Sequence, residues 1–264
     1  MPELPEVESL RRRFMKRLRG RKLSGFTSRC ARKASPSPRR IDAGVRGRTV
    51  LSLDRRGKHL LLRLDDGGTL TLHLGMSGRL EWGSEGLAEP AFLRAWLCLE
   101  GGERLWFCDA RKFGRIALIP PGAPVCPGLG VEPLSPAFTV GELTRLLRRR
   151  RRIKPLLLDQ QGIAGLGNIY TDEALHRARI SPFRRAHTLT VGEIRALYRA
   201  IRRVLLEAIR NNGTSFDWIY PGGRMQSHLR VYGRQGLPCR RCGVCVAYRR
   251  LAQRGTHWCP GCQR

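Results

Sequence analysis

The sequence predicts an α+β protein of two lobes, β structure first and helices after it. Three observations carry that expectation. Between residues 48 and 120, short leucine-rich runs alternate with glycine and aspartate turns, the pattern of antiparallel strands. Pro120-Pro121-Gly122-Ala123-Pro124 closes that region, and apolar residues then fall at helical spacing behind Thr-x-x-Glu starts. Near the C-terminus two Cys-x2-Cys pairs enclose a short basic segment, the spacing of a metal-closed hairpin.

The first helix follows Pro5, where Val7, Leu10, Phe14 and Leu18 form one apolar stripe and Gly20 is a natural stop. Acids at Glu3, Glu6 and Glu8 fall in its first turn, where the helix dipole favours them. Leu60–Leu64 and Thr69–Leu74 flank Asp65-Asp66-Gly67-Gly68 as a hairpin, with Leu70, Leu72 and Leu74 on one face and Thr71 and His73 on the other. A second pair, Ala95–Glu100 and Arg104–Cys108, flanks Gly101-Gly102. Short strands with regular turns read as a sandwich or a barrel. Thr139-Val140-Gly141-Glu142 and Thr190-Val191-Gly192-Glu193 are capping boxes. The second opens a helix whose apolar face is Ile194, Leu197, Ile201, Val204, Leu205 and Ile209, ended by Asn211-Asn212-Gly213.

Charge narrows the function. The 264 residues carry 50 Lys plus Arg against 21 Asp plus Glu, a formal charge of +29. The charged fraction, 27%, is ordinary, so its sign is the anomaly. Six lysines leave 44 arginines. GC-biased codons account for Arg over Lys but not for the scarcity of acids. The natural partner is a polyanion, with nucleic acid the first candidate. From Trp218 to the end there are nine arginines and no acid. An apolar content of 41% excludes wholesale disorder. No apolar run approaches the roughly 18 residues that span a bilayer, and the acidic start is not a secretory signal. Nine unevenly spread cysteines argue against a disulfide framework. A cytoplasmic, nucleoid-associated monomer is expected.

Cys239-x2-Cys242 and Cys259-x2-Cys262, sixteen residues apart, match the paired spacing of a tetrahedral zinc site. Gly243 and Pro260-Gly261 supply the turns that aim two thiolates at one ion. Cys242-x2-Cys245 is a second legal pair, but Cys239 completes two equal pairs closing one hairpin. Four protein ligands leave no open position, so one structural Zn2+ is expected. Cys30, Cys98, Cys108 and Cys126 show no ligand spacing.

The other chemical candidate is the N-terminus. Pro2 is small enough for Met1 to be removed before it, which would leave a secondary amine. An α-amino group titrates near about 8, well below lysine, so a neutral fraction exists at pH 7. Attack on an aldehyde-like carbon would give an iminium ion, an electron sink for elimination. Glu3 stands beside it to shuttle protons.

Pro2-Glu3-Leu4-Pro5-Glu6-Val7-Glu8 resembles the opening of bacterial formamidopyrimidine-DNA glycosylases. Similar motifs follow in order: Arg56-Gly57-Lys58, His73-Leu74-Gly75-Met76-Ser77-Gly78, Asp109-Ala110-Arg111-Lys112-Phe113-Gly114, Gly165-Leu166-Gly167-Asn168-Ile169-Tyr170, Val231-Tyr232-Gly233-Arg234 and Gln253-Arg254-Gly255-Thr256. They cover essentially the whole chain.

The resemblance implies excision of oxidised purines from duplex DNA, then strand cleavage by β,δ-elimination. It implies Pro2 as nucleophile on the anomeric carbon and Glu3 as proton donor to the sugar ring oxygen. Lys58, expected on a strand, would contact phosphate or the lesion. His73 and Asn168 would contact phosphates, as would Arg254 from the hairpin between the cysteine pairs. Met76, Arg111 and Phe113 would fill the gap left by a flipped base, a step costing a few kcal/mol. The loop 162–168 follows a helical segment and not a strand, so a dinucleotide fold is disfavoured. It suits a helix–two-turn–helix whose N–H groups meet a DNA phosphate.

The implied fold is an N-terminal β-sandwich lobe with an N-terminal helix (residues 1–125), a helix–two-turn–helix lobe (131–225) and a zinc-finger β-hairpin (226–264), with DNA in the cleft between the lobes. Two departures stand out. Ala110 and Lys112 replace the Pro and Arg usual in the family, which puts loop rigidity in question. The stretch from Gly213 to Gln226 is shorter than the loop that covers the flipped base in well-known members. The alternative is an endonuclease VIII-like enzyme acting on oxidised pyrimidines. Members of that type commonly have Gly where this chain has Leu4, and often lack the full trio.

Overall fold

A computed structural model describes residues 1–215 and 222–264. The chain forms two compact units. The first holds Met1–Pro2 and Glu6–Pro127; the second holds Glu3–Pro5, Gly128–Ser215 and Gly222–Arg264.

In the first unit, helix α1 (Leu4–Leu18) follows the chain start, and the expected stripe Val7, Leu10, Phe14 and Leu18 is buried. One sheet runs β1 (Leu23–Ser28), β7 (Leu93–Leu99), β8 (Glu103–Asp109), β6 (Gly78–Ser84). The other runs β2 (Ala34–Ser35), β9 (Arg115–Ile119), β5 (Thr69–His73), β4 (His59–Leu64), β3 (Val50–Arg56). Leu60, Leu62, Leu70 and Leu72 from one sheet join Leu97, Leu105 and Phe107 from the other, and the α1 stripe, in one core. Each such side chain contributes about 1.5–3 kcal/mol on burial. Two separate sheets sharing one core make a sandwich, not a barrel.

Both expected hairpins form, β4 with β5 and β7 with β8. Gly101 and Gly102 take φ of 90° and 80°, which a side chain would strain. A short helix α2 (Pro38–Val45), which the sequence pattern did not suggest, is capped by Ser37.

The second unit is helical: α3 (Val140–Leu147), α4 (Ile153–Leu157), α5 (Asn168–Ala178) and α6 (Val191–Arg210). All six apolar positions expected on α6 are buried. Its capping box closes from both sides. The box at Thr139 is only half made: Thr139 accepts from Glu142 N, but the Glu142 carboxylate turns to Arg145. The neighbouring guanidinium is a stronger donor than a backbone N–H. A hairpin of β10 (Ala247–Leu251) and β11 (Arg254–Trp258) follows, turned by Ala252 and Gln253, both at positive φ. No helix among the described residues is long and apolar enough to cross a membrane.

Candidate active site and metal centre

In the second unit, α4 ends at Leu157 and α5 starts at Asn168, with the glycine loop before α5. Gly165 and Gly167, just ahead of Asn168, make room for the chain start. Leu4 N donates to Gly165 O at 3.1 Å, and Gly165 at φ 89° lies where a Cβ would stand 2.8 Å from Leu4 Cβ. A Cβ on Gly167 would fall 2.6 Å from Glu3 Oε1. The carboxylate of Glu3, 2% exposed, accepts from Ile169 N at 2.9 Å and Tyr170 N at 3.4 Å. A helix N-terminus attracts anions through its unpaired N–H groups and its dipole. The sequence suggested that these N–H groups would meet a phosphate. Those of residues 169 and 170 are instead taken by the protein's own glutamate, because Glu3 lies in the same unit and outcompetes solvent for them.

Behind that seat lies a buried polar cluster. Lys154 Nζ on α4 is 2.7 Å from Asp172 Oδ1 on α5, both at 0% exposure, and donates to Gly255 O at 2.7 Å. Burial pulls the Lys154 ammonium below its ordinary range, while Asp172 and Glu3 hold it up. Asp172 Oδ2 accepts from His257 N at 2.9 Å. Asn168 Nδ2 donates to Gly255 O at 3.0 Å, and its side chain also bonds the Tyr232 hydroxyl. Three of these bonds end on β11, so the strand that starts at the exposed Arg254 is pinned to α4 and α5. Glu173 extends the scaffold by accepting backbone N–H bonds from Arg230, Val231 and Tyr232.

In the first unit, Asp109 organises the loop that carries two of the expected void-filling residues. Asp109 is buried and accepts from the Ser77 hydroxyl, from Arg111 N at 3.2 Å and from Gly114 N at 2.7 Å. Ser77 Oγ also accepts from Arg111 N at 2.9 Å. Lys112 takes φ 57°, and Gly75 packs so closely that a Cβ would lie 2.6 Å from the Phe113 carbonyl carbon. Asp109 thus orders the loop without the proline that Ala110 replaces. Arg111 and Phe113 are exposed, with the guanidinium 5.0 Å above the ring.

Phe113, Met76 and His73 line one hollow of about 590 Å³, together with Met1, His59 and Arg115. His73 Nδ1 accepts from Gly75 N, which leaves the ring proton of the neutral form on Nε2. Burial first, then His59, Lys58 and Arg115, push the His73 pKa down to about 4. The two imidazoles stand 4.6 Å apart across the β4–β5 pair. Lys58 was expected on a strand. It lies in the two-residue turn between β3 and β4, beside Gly57 at φ 56°, and is 7% exposed. Pro2 is buried behind Met1.

Cys239, Cys242, Cys259 and Cys262 bring their sulfurs within 4.8 Å of one another. A tetrahedral ion with bonds of about 2.3 Å sets sulfurs about 3.8 Å apart, so the cluster fits one metal ion. Cys239–Cys262 and Cys242–Cys259 stand at 3.9 and 3.4 Å. Cys245 is exposed and outside the cluster, paired at the backbone with Pro238. Of the stretch 213–226, expected to be shorter than the covering loop of well-known family members, residues 216–221 lie outside the described residues.

Sequence reasoning quoted Ser77 and Asp109 without a role and passed over Lys154, Asp172, Glu173 and His257. A signal existed for one of them: Lys154 is one of six lysines among 44 arginines.

Comparison with known proteins places the chain. Residues 1–116 match the family model of the formamidopyrimidine-DNA glycosylase N-terminal domain, and residues 129–218 match that of its H2TH domain. A formamidopyrimidine-DNA glycosylase of Pelotomaculum thermopropionicum is 46% identical, covering 100% of this chain and 99% of the relative. The crystal structure of MutM (Fpg) from Thermus thermophilus is similar at 44% identity and a TM-score of 0.90, covering 99% of this chain and 98% of that one. A Lactococcus lactis Fpg in complex with FAPY-dG-containing DNA is similar at 34% identity and a TM-score of 0.93, covering 99% and 100%.

Proposed function

The chain belongs to the formamidopyrimidine-DNA glycosylase family, and from that premise we propose that it excises oxidised purines, 8-oxoguanine and formamidopyrimidines, from duplex DNA and then cuts the strand by β,δ-elimination. Relatives similar over the full chain are solved with DNA containing carbocyclic 8-oxo-G or FAPY-dG. The observation that carries the reading is the seat of Glu3: a buried carboxylate fixed on a helix start, one peptide bond from Pro2.

With Met1 in place the Pro2 nitrogen is an amide without a nucleophilic lone pair, so the reaction requires its removal. The freed amine then bonds to the anomeric carbon, and the bond to the oxidised base breaks. Glu3 protonates the ring oxygen, the sugar opens, and the nitrogen is left as an iminium. The iminium acidifies the neighbouring carbon, whose proton loss expels the 3′-phosphate; loss of a second proton, from the carbon beyond the new double bond, then expels the 5′-phosphate. Lys58, His73, Asn168 and Arg254 hold the backbone. Met76, Arg111 and Phe113 occupy the emptied stack, with Arg111 on the orphaned base. The four cysteines would hold Zn2+, whose role is to close the hairpin that carries Arg254. Residues 1–125, 131–225 and 226–264 serve as catalytic, helix–two-turn–helix and zinc-finger segments.

Borohydride should trap a covalent adduct between the protein and abasic or 8-oxoguanine DNA, and Pro2→Gly should lose it. No adduct from the intact protein would sink the reading. Gly167→Ala is a sharper probe, because it crowds Glu3 without replacing it. Excision should fall while affinity for damaged duplex persists.

A further inference from the structure

The proposed chemistry uses few of the arginines, and one group of the rest is ordered in a way a merely solvated run is not. Residues 148–152 are five consecutive arginines, all exposed, between α3 and α4. They are clamped to the segment 184–186. Ala186 N donates to Arg151 O at 2.9 Å, Ile153 N to Arg184 O at 2.8 Å, and Arg185 donates to Arg150 O at 3.2 Å. Among the described residues, Asp159 is the carboxylate that reaches the run, 3.9 Å from Arg149 and 3.5 Å from Arg151. Both arginines stay more than half exposed, so one acid in water neutralises little of the charge. Arg184 is committed to Glu193, which leaves Arg185 facing out.

The clamped run leads to the hairpin. Phe183 packs edge-on against Trp258 of β11 at 4.7 Å, and Arg249 of β10 sits 5.8 Å above the Phe183 ring. Arg249 pairs across the hairpin with Thr256, two residues from Arg254. Arg149, Arg150, Arg151, Arg185 and Arg249 therefore belong to one ordered basic strip, contiguous with the strand that begins at Arg254.

We propose that this strip is a second contact for the backbone of duplex DNA, holding phosphates away from the lesion on the hairpin side. The proposal rests on the DNA-repair reading above. Its chemistry is general: planar guanidiniums meet phosphate oxygens in pairs, and each phosphate neutralised releases counterions whatever the base sequence. Such a track would hold undamaged DNA during search and add nothing to lesion choice.

The test is the salt dependence of binding by the full chain to a long undamaged duplex and to a short damaged one. For R149S/R150S/R151S the slope of log K against log salt should fall by about three on a duplex of about 30 base pairs, near 0.9 per phosphate lost. On a duplex of about 10 base pairs with a lesion at its centre, which the lesion site holds and which is too short to reach the strip, variant and wild type should match. R149K/R150K/R151K keeps the charge and should keep the wild-type slope. An unchanged slope for the serine variant on long DNA overturns the proposal, as does an equal loss at both lengths or in the lysine variant. Wild-type protein that shows the length-dependent slope but excises no lesion would overturn the repair reading and leave the strip standing.

Discussion

Each unit sets an exposed arginine over a buried aspartate, and the two aspartates are satisfied by opposite means. Under Arg111 lies Asp109, which takes its bonds from neutral donors: a hydroxyl and two backbone N–H groups within five residues of it. Under Arg254 lies Asp172, which pairs with the buried ammonium of Lys154, while Gly255 is reached from α4 and α5. The first device is mostly local: one short loop supplies the N–H groups, and Ser77, 32 residues earlier, adds the hydroxyl. The second joins groups more than eighty residues apart, and the strand it holds runs into Cys259 of the four-sulfur cluster. A buried ion pair is costly to assemble and more costly to break on one side, whereas an aspartate ringed by neutral donors loses less when it is replaced.

The largest effect should come from the metal. Cys259→Ser, or chelation, should unfold the hairpin, since binding energies of structural zinc are of order 10 kcal/mol or more. Metal release followed with a chromogenic chelator, and binding to damaged duplex, read the outcome. Retained affinity for the lesion would show that Lys154 and Asp172 alone can hold Arg254. Next, Lys154→Met should strand the Asp172 charge and cost about 3–5 kcal/mol in urea unfolding, with part recovered in Lys154→Met/Asp172→Leu. A double variant no more stable than the single would mean that the pair is not the clamp.

His73 gives the first unit an acid sensitivity. Its folded pKa of about 4 lies below the unfolded value of 6.5, so between those values the unfolded chain binds the extra proton. Stability is therefore full above pH 6.5 and falls toward pH 4, by up to about 3 kcal/mol at 1.4 per unit. Denaturation at several pH values compares His73→Gln with wild type. A parallel fall in both would put the sensitivity elsewhere. Glu8 is also held below its ordinary range, by Arg11, Arg12 and Arg55 against the opposing effect of burial, and its loss begins only at lower pH. The smallest effect should be Asp109→Ala, about 1–3 kcal/mol. It should loosen Arg111 and Phe113 and weaken lesion binding, while the melting of the hairpin stays unchanged.

Much of the molecule was open to reading from local pattern. The α1 and α6 stripes, both Gly-turn hairpins and the four sulfurs all follow from spacing within a few turns or strands. Lys58 was misplaced because a turn of two residues between paired strands has no signature beyond Gly57. The half-made box at Thr139 failed because Arg145, one helical turn on, takes the Glu142 carboxylate. Asp172 and His257 carried no signal, since nothing in spacing brings residues 85 apart into contact.

By itself the sequence determined most of the elements, the four-cysteine cluster and the strongly cationic character, because periodicity, Cys-x2-Cys spacing and net charge act through near neighbours or through bulk. Only the tertiary structure decided what the buried charges do. It put Glu3 on the start of α5, where the N–H groups of Ile169 and Tyr170 seat the chain's own carboxylate. It put Lys154 under the Arg254 strand. In a chain with 44 arginines, the site takes a compact ammonium whose single nitrogen reaches both Asp172 Oδ1 and Gly255 O at 2.7 Å, where a planar fork of five N–H donors would leave some of them unpaired. That preference is visible only once the site is folded and dry.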